Sequence, residues 1–259
     1  MKKLSKYLKG TYLALILVFL YCPIAVMIIL SFNAGKTRAK WEGFSLSWYK
    51  ELFNNTAIME ALKVTLIVAA VATIVSVVLG TLGAIGIHAS KRRYSKMLIN
   101  LSYLPMTMPD IVTGVSLMML FVFVNLPRGL VTMILAHITF DTPYVLFAVL
   151  PKLKQMDQNS YEAALDLGCT PIKALTKVIL PEIRPGIITG GLLALTMSLD
   201  DFVISYFCSD TDQNLSILIY SAAKRGVKPD IYALSTIMFV TVLALLIIIN
   251  KRTTLENIG

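Results

Sequence analysis

Four aspartates stand in segments that are otherwise apolar: Asp110 in MPDIV, Asp141 in TFDTP, and the adjacent pair Asp200 and Asp201 in SLDDF. A carboxylate inside hydrocarbon costs about 2.5–3.5 kcal/mol on insertion scales, so each is expected to face protein, water or a cation. In comparable layers the four can compensate a cation that sheds its water, and Tyr103, Tyr144 and Tyr206 can add aromatic faces. The same acids repel a desolvated anion at close range. The packing alternative is local: Asp110 can cap a helix restarted after Pro109, and Asp200 can pair within a bundle. Neighbouring residues of one helix point about 100° apart, so Asp200 and Asp201 are expected to divide the two roles. His137 reads as a packed polar partner rather than a ligand. Cys22, Cys169 and Cys208 have neither metal nor redox spacing and read as small buried or interfacial side chains. No catalytic residue and no metal site is expected.

A second set of residues marks a docking surface. Pro151 to Gly186, PKLKQMDQNSYEAALDLGCTPIKALTKVILPEIRPG, interrupts the apolar segments, and a connection of that length usually has its own structure. Asn159 with Glu162 three residues on suggests a capping box, and Tyr161, Ala164, Leu165 and Gly168 then follow at helical spacing. Gly168 is the stop, Thr170 and Pro171 restart the chain, and Pro181 and Pro185 are expected to break the second helix. Close backbone approach at Gly168 is expected as well as a tight corner.

Long apolar segments must position both sets. With 56% of residues hydrophobic and 15% charged, the chain reads as an integral membrane protein, all-α, with six transmembrane helices. The expected spans are about 11–30, 62–87, 97–124, 130–150, 187–207 and 231–250, with the loop 151–186 between the fourth and fifth, in a single transmembrane domain over 1–259. Lys2, Lys3, Lys6 and Lys9 before the first apolar run resemble a signal peptide, but the run is too long and lacks a small-residue cleavage site. Pro105 and Pro109 should kink or divide the third span. Trp41, Trp48 and Tyr49 suit an interface. Gly186, Gly190 and Gly191 allow close helix approach, either for an interface that rocks or for static packing.

Charge assigns the sides. Fifteen of the 24 lysines and arginines fall in the N-terminal, 91–96, 151–186 and 251–252 segments, which places these and both termini in the cytoplasm. Eight fall in the opposite loops, among them Lys36, Arg38, Lys40, Lys50, Lys224, Arg225 and Lys228. The formal net charge of +9 is explained by basic loops beside anionic lipid rather than by nucleic acid. No Gly-rich nucleotide loop occurs, so any driving energy comes from a partner or an ion gradient.

Glu162, Ala163 and Ala164, then Gly168, then Val178, Leu180 and Pro181 reproduce the EAA---G---------I-LP signature, with Val178 where isoleucine is usual. On this motif the chain resembles the inner-membrane permeases of ABC importers, of the binding-protein-dependent, MetI-like type. The stretches SFNAG (31–35), MTMPDIVTGVSLM (106–118), AHITFDTPYV (136–145) and LTMSLDDFVISYF (195–207) extend the resemblance over nearly the whole chain, toward the spermidine/putrescine permeases of that family. It implies a second homologous permease subunit, two cytoplasmic ATPases and an external polyamine-binding protein, in a bacterial plasma membrane. It further implies that Glu162, Ala163, Ala164, Gly168, Leu180 and Pro181 couple to the ATPase. ATP and Mg then belong to that partner, and this chain is expected to bind no cofactor. The alternatives are an ABC permease for another solute, an ion-gradient-driven secondary transporter, or a structural membrane subunit. An intramembrane aspartyl protease using Asp110 and Asp141 is disfavoured, because MPDIV and TFDTP are not its motifs.

Overall fold

The computed structural model describes residues 2–35, 40–226 and 229–256, without the side chains of 2–8, 158 and 245–256. Lys36, Arg38 and Lys228, which entered the charge balance, lie outside the described residues, as do the side chains of Lys2, Lys3, Lys6, Lys251 and Arg252. The described residues are helical apart from turns and one isolated bridge between Asn33 and Phe44. Among the described residues four helical runs are long and apolar enough to cross a membrane, five if a pair of helices bent by 103° is counted as one span. The protein is therefore an all-α polytopic membrane protein. Its contacts divide it into two compact units, residues 1–59 with 219–259 and residues 60–218.

In the first unit, α1 (Lys2–Ser31) and α2 (Ser47–Asn54) both pack on α12 (Pro229–Glu256). The turn after α1 is built on Asn33. Its carbonyl accepts the Trp48 indole N–H at 2.7 Å, its Oδ1 accepts the Glu42 amide at 2.8 Å, and its Nδ2 donates to Lys40 O at 2.9 Å. Trp48 is thus a buried core residue and not an interfacial aromatic, while Trp41 is half exposed. The indole goes inside because its one polar atom finds an acceptor there.

The second unit begins within α3 (Thr56–Ala89) and continues through α4 (Arg92–Thr107), α5 (Asp110–Phe123) and α6 (Leu130–Gln155). It goes on to α7 (Gln158–Asp166), α8 (Pro171–Ala174), α9 (Leu180–Asp200) and α10 (Val203–Cys208), and ends in the first turn of α11 (Leu215–Arg225). The expected third span is divided. Pro105 remains inside α4, and the chain turns by 103° between α4 and α5, where Met108 is extended as a residue before proline prefers.

The principal packing is α6 on α9. Gly186 and Gly190, one turn apart, permit it: a Cβ at Gly190 would sit 2.9 Å from Val145 Cα, and one at Gly186 3.0 Å from Ala148 O. This pair serves close packing inside the chain. Val149, Leu150 and Leu153 of α6 join Ala84, Ile87 and Ile183 in one buried cluster. Their burial carries α6 through Pro151 to Gln155, so the expected boundary at 151 moves five residues on.

Pro181 and Pro185 do not break the second loop helix. Residues 171–200 are helical throughout, with a wide π turn at Leu175–Ile179 in which the Leu180 amide donates to Leu175 O. The widened turn displaces the hydrogen-bond ladder just before Pro181, which has no amide to contribute. The fifth span differs too. It stops at Asp200, passes through extended Asp201 and resumes at Val203.

Candidate functional site

The break after Asp200 exposes a general difficulty: a helix that restarts has amides without intrahelical acceptors, and in hydrocarbon no water supplies them. Asp201 supplies them. Its Oδ2 accepts the Ser205 amide at 2.7 Å and its Oδ1 the Ile204 amide at 3.2 Å. The premise that Asp200 and Asp201 share one helix is therefore corrected, because Asp201 is the acceptor for the start of the next.

His137, in the first half of α6, ties this break to its neighbours. Its Nδ1 shares a 2.6 Å hydrogen bond with Ser198 Oγ on α9, and its Nε2 lies 2.9 Å from Ser205 Oγ and 3.4 Å from Asp201 Oδ2. Asn214 closes the group by donating to Ser205 Oγ at 2.8 Å and to Asp201 O at 3.2 Å, while its Oδ1 accepts the Ile217 amide at 2.9 Å and so caps α11. Thr65 on α3 accepts the Leu215 amide at 2.8 Å. His137, Ser198, Ser205 and Asn214 are all buried. The result is a saturated polar knot joining α6, α9, α10 and the start of α11. His137 is the packed partner its sequence context suggests. Ser205 gave no signal in the sequence and Ser198 reads there only as a small residue that allows close helix approach, whereas Asn214 ahead of LSIL is a readable cap.

The other acids differ from Asp201 and from one another. Asp200, the last residue of α9, is exposed. Asp110 is exposed in the first turn of α5, where a negative charge suits the helix dipole, but the N-cap position is held by Pro109. Asp141 lies one turn beyond His137 on α6, is 0% exposed, and neither carboxyl oxygen has a hydrogen-bond partner among the described residues. Tyr103 and Tyr206 are about half exposed, Tyr103 edge-on to Phe147 at 4.5 Å, and Tyr144 packs beside Phe140.

The 151–186 segment forms the expected corner with a changed cap. Asp157, not Asn159, caps α7: its side chain accepts the Asn159 amide at 3.0 Å, and Asn159 is inside the helix. Aspartate wins because it stands directly ahead of the first helical turn, with its acceptor already facing the free amides. At the other end the Cys169 amide donates to Ala164 O and the Gly168 amide to Leu165 O, the Schellman pattern, with Gly168 at φ +87°. Thr170 Oγ1 accepts the Lys173 amide at 3.4 Å, and Pro171 opens α8 as expected. A Cβ at Gly168 would meet nothing within 4 Å, so within this chain glycine answers to the left-handed backbone and not to close approach. Glu162, Ala163, Gly168 and Pro181 are exposed, and Ala164 and Leu180 are partly buried. Leu167 and Ile172, on either side of the corner, are 87% and 75% exposed.

Comparison with known proteins fits this architecture. Residues 76–251 match the family model described as binding-protein-dependent transport system inner membrane component. The chain is 36% identical over 252 residues to the spermidine/putrescine transport system permease protein PotC of Haemophilus influenzae, covering 97% of this chain and 98% of that protein. It is 40% identical over 228 residues to the putrescine transport system permease protein PotI of Escherichia coli K12, covering 85% and 81%. In fold it is similar to a chain of a bacterial ABC transporter that imports the acidic polysaccharide alginate, with a TM-score of 0.71 over 99% of this chain and 97% of that one at 20% identity. The chain belongs to the family of binding-protein-dependent transport system inner membrane components, the permease subunits of ABC importers.

Proposed function

We propose that this permease imports polyamines, spermidine and putrescine being the leading candidates. The observation that carries the reading is likeness at 36% and 40% identity to two permeases named for those substrates. The alginate importer, alike in fold alone, has an acidic cargo, so the fold does not choose the charge of the solute. Four aspartates do favour a cation. Asp200 and Asp110, being exposed, are the ones to meet an ammonium, with Asp141 as an interior candidate and Asp201 mainly structural.

In this reading the chain is one single-domain half of a permease pair. It has six spans, α12 being the sixth, and both termini lie on the cytoplasmic side of a bacterial plasma membrane. Two ATPase subunits dock on the 151–186 corner through Glu162, Ala163, Ala164, Gly168, Leu180 and Pro181, and an external binding protein delivers substrate to the other side. ATP hydrolysis in the partner drives transport.

Two measurements test this. Extraction in mild detergent should recover the chain with a related permease and two ATPase subunits, and a stable homodimer transporting without an ATPase contradicts it. Cells lacking the gene should lose uptake of labelled spermidine or putrescine and keep uptake of anions and amino acids. Loss confined to an anion overturns the substrate.

A further inference from the structure

A helix as short as α10, six residues, cannot hold itself: nearly all its amides and carbonyls are terminal, and it is far below the length at which a helix is stable alone. Its place is set from outside. At its start Asp201 accepts the amides of Ile204 and Ser205. Along its length it packs on α5, where a Cβ at Gly114 would stand 3.0 Å from the Phe207 side chain and 3.5 Å from Ile204 Cα.

Its end is latched to the start of α6. Thr132, buried in the first turn of α6, donates from Oγ1 to Cys208 O, the last carbonyl of α10, at 2.8 Å. Gly129, ahead of α6, has no side chain with which to cap, and the Leu130 amide is accepted instead by Asp212 Oδ2 at 2.9 Å, from the loop after α10. A Cβ at Gly129 would come within 3.1 Å of that oxygen, so the glycine makes room for the distant cap. Arg128 and Asp210 add an exposed ion pair at 3.6 Å, which contributes little.

Tyr206 is the exposed side chain that this clamp orients. It is 52% exposed, its ring lies 5.4 Å from that of Phe202 one turn earlier, and it stands two residues from the latched Cys208 but five from Asp201. Asp200, the exposed acid proposed above to meet an ammonium, ends α9 two residues before Phe202. An ammonium held by a carboxylate gains further from an aromatic face.

We propose that Asp212 is a positioning residue for cation transport: by closing the latch it holds α10 so that Tyr206 offers its ring to an ammonium at Asp200. Tyr206 lies nearer the latch than the knot, so cutting the latch displaces the tyrosine and leaves the Asp201 bonds in place. The role of Tyr206 rests on the polyamine reading. The latch itself does not.

The test uses the assembled complex with Cys22 and Cys169 replaced by Ser, which leaves the buried Cys208 as this chain's one thiol. Cys208 should resist a small maleimide. Asp212→Ala should raise its labelling about tenfold, and Asp212→Asn, which keeps an acceptor oxygen, should not. Initial spermidine and putrescine uptake per assembled complex should fall about two- to fivefold in Asp212→Ala and in Tyr206→Leu, the worth of one exposed cation–π contact. The double variant should fall no further, because the first residue acts through the second. Losses that multiply in the double variant overturn the positioning role, and unchanged Cys208 labelling in Asp212→Ala overturns the latch. A complex that labels as expected yet moves neither amine before any substitution at Asp212 or Tyr206 overturns the substrate reading, and with it the role of Tyr206, while the latch stands.

Discussion

The break at Asp201 and the corner at Gly168 are both interruptions between helices, and they are stabilised in opposite ways. At Asp201 the chain interruption is largely enclosed, the aspartate side chain being 9% exposed, and side chains from four elements complete its hydrogen bonding. At Gly168 it is exposed, and its bonds are local: a backbone pattern ending α7 and one threonine opening α8. A buried interruption has no water to fall back on, so it must be closed by partners distant in sequence. An exposed one needs only the right backbone geometry, which leaves its side chains available to another protein. Loss at the first site should therefore appear as failed assembly, and loss at the second as failed coupling.

The largest effect is expected from Asp201→Ala. Two amides of α10 lose their acceptor, while His137 Nε2 keeps Ser205 Oγ, and unsatisfied buried groups cost about 1–3 kcal/mol each. Assembled complex and its thermal midpoint should both fall sharply. Wild-type assembly would mean that the knot is dispensable and the comparison wrong.

Gly168→Leu comes next. Forcing a side chain into the left-handed region costs about 1–2 kcal/mol at one exposed position, so insertion and abundance should stay near normal. ATP hydrolysis stimulated by loaded binding protein should nonetheless be lost. Gly168→Asn sharpens the point, since asparagine tolerates this backbone and space is free within the chain. Retained coupling in the Asn variant assigns the effect to geometry, whereas loss in both assigns it to close approach of the ATPase. Unchanged stimulation in the Leu variant contradicts the account of the corner.

Smaller still is the cap. Asp157→Ala should destabilise α7 by about 1 kcal/mol and Asn159→Ala by much less, read as faster amide exchange in residues 159–162. The reverse order would restore Asn159 as the cap.

What the sequence made legible follows the same division. Gly168, Thr170 and Pro171 are local codes, each needing only its neighbours, and all three stand where their types predict. The break in SLDDF was not legible, because hydropathy averaged over a span-length window hardly registers two residues, and its reason lies in His137, some sixty residues earlier. Pro181 misled for a related cause: proline argues against a regular helix, and the π turn that accommodates it has no sequence signature of its own. Asp157 and Asn159 are both good caps, and which one is used depends on where α6 ends, which the buried Leu150 and Leu153 decide.

The smallest effect on stability is expected at Asp141. Its oxygens make no hydrogen bond among the described residues, so Asp141→Asn removes none and assembly should be unchanged. Reduced polyamine uptake at that normal level would place it on the substrate route, and normal uptake would remove it.

The most direct test sets Asp200→Asn against Asp201→Asn, adjacent residues that the fold separates into an exposed helix end and a largely enclosed acceptor. Initial spermidine uptake is measured for each and normalised to assembled complex in the membrane. Asp200→Asn should assemble normally and lose uptake about tenfold or more, since 1.4 kcal/mol of lost compensation for an ammonium already gives that factor. Asp201→Asn should instead lower the amount of complex, with uptake per complex much less affected. Wild-type assembly and wild-type flux in both variants would contradict the account, leaving the cationic substrate supported by likeness to relatives alone.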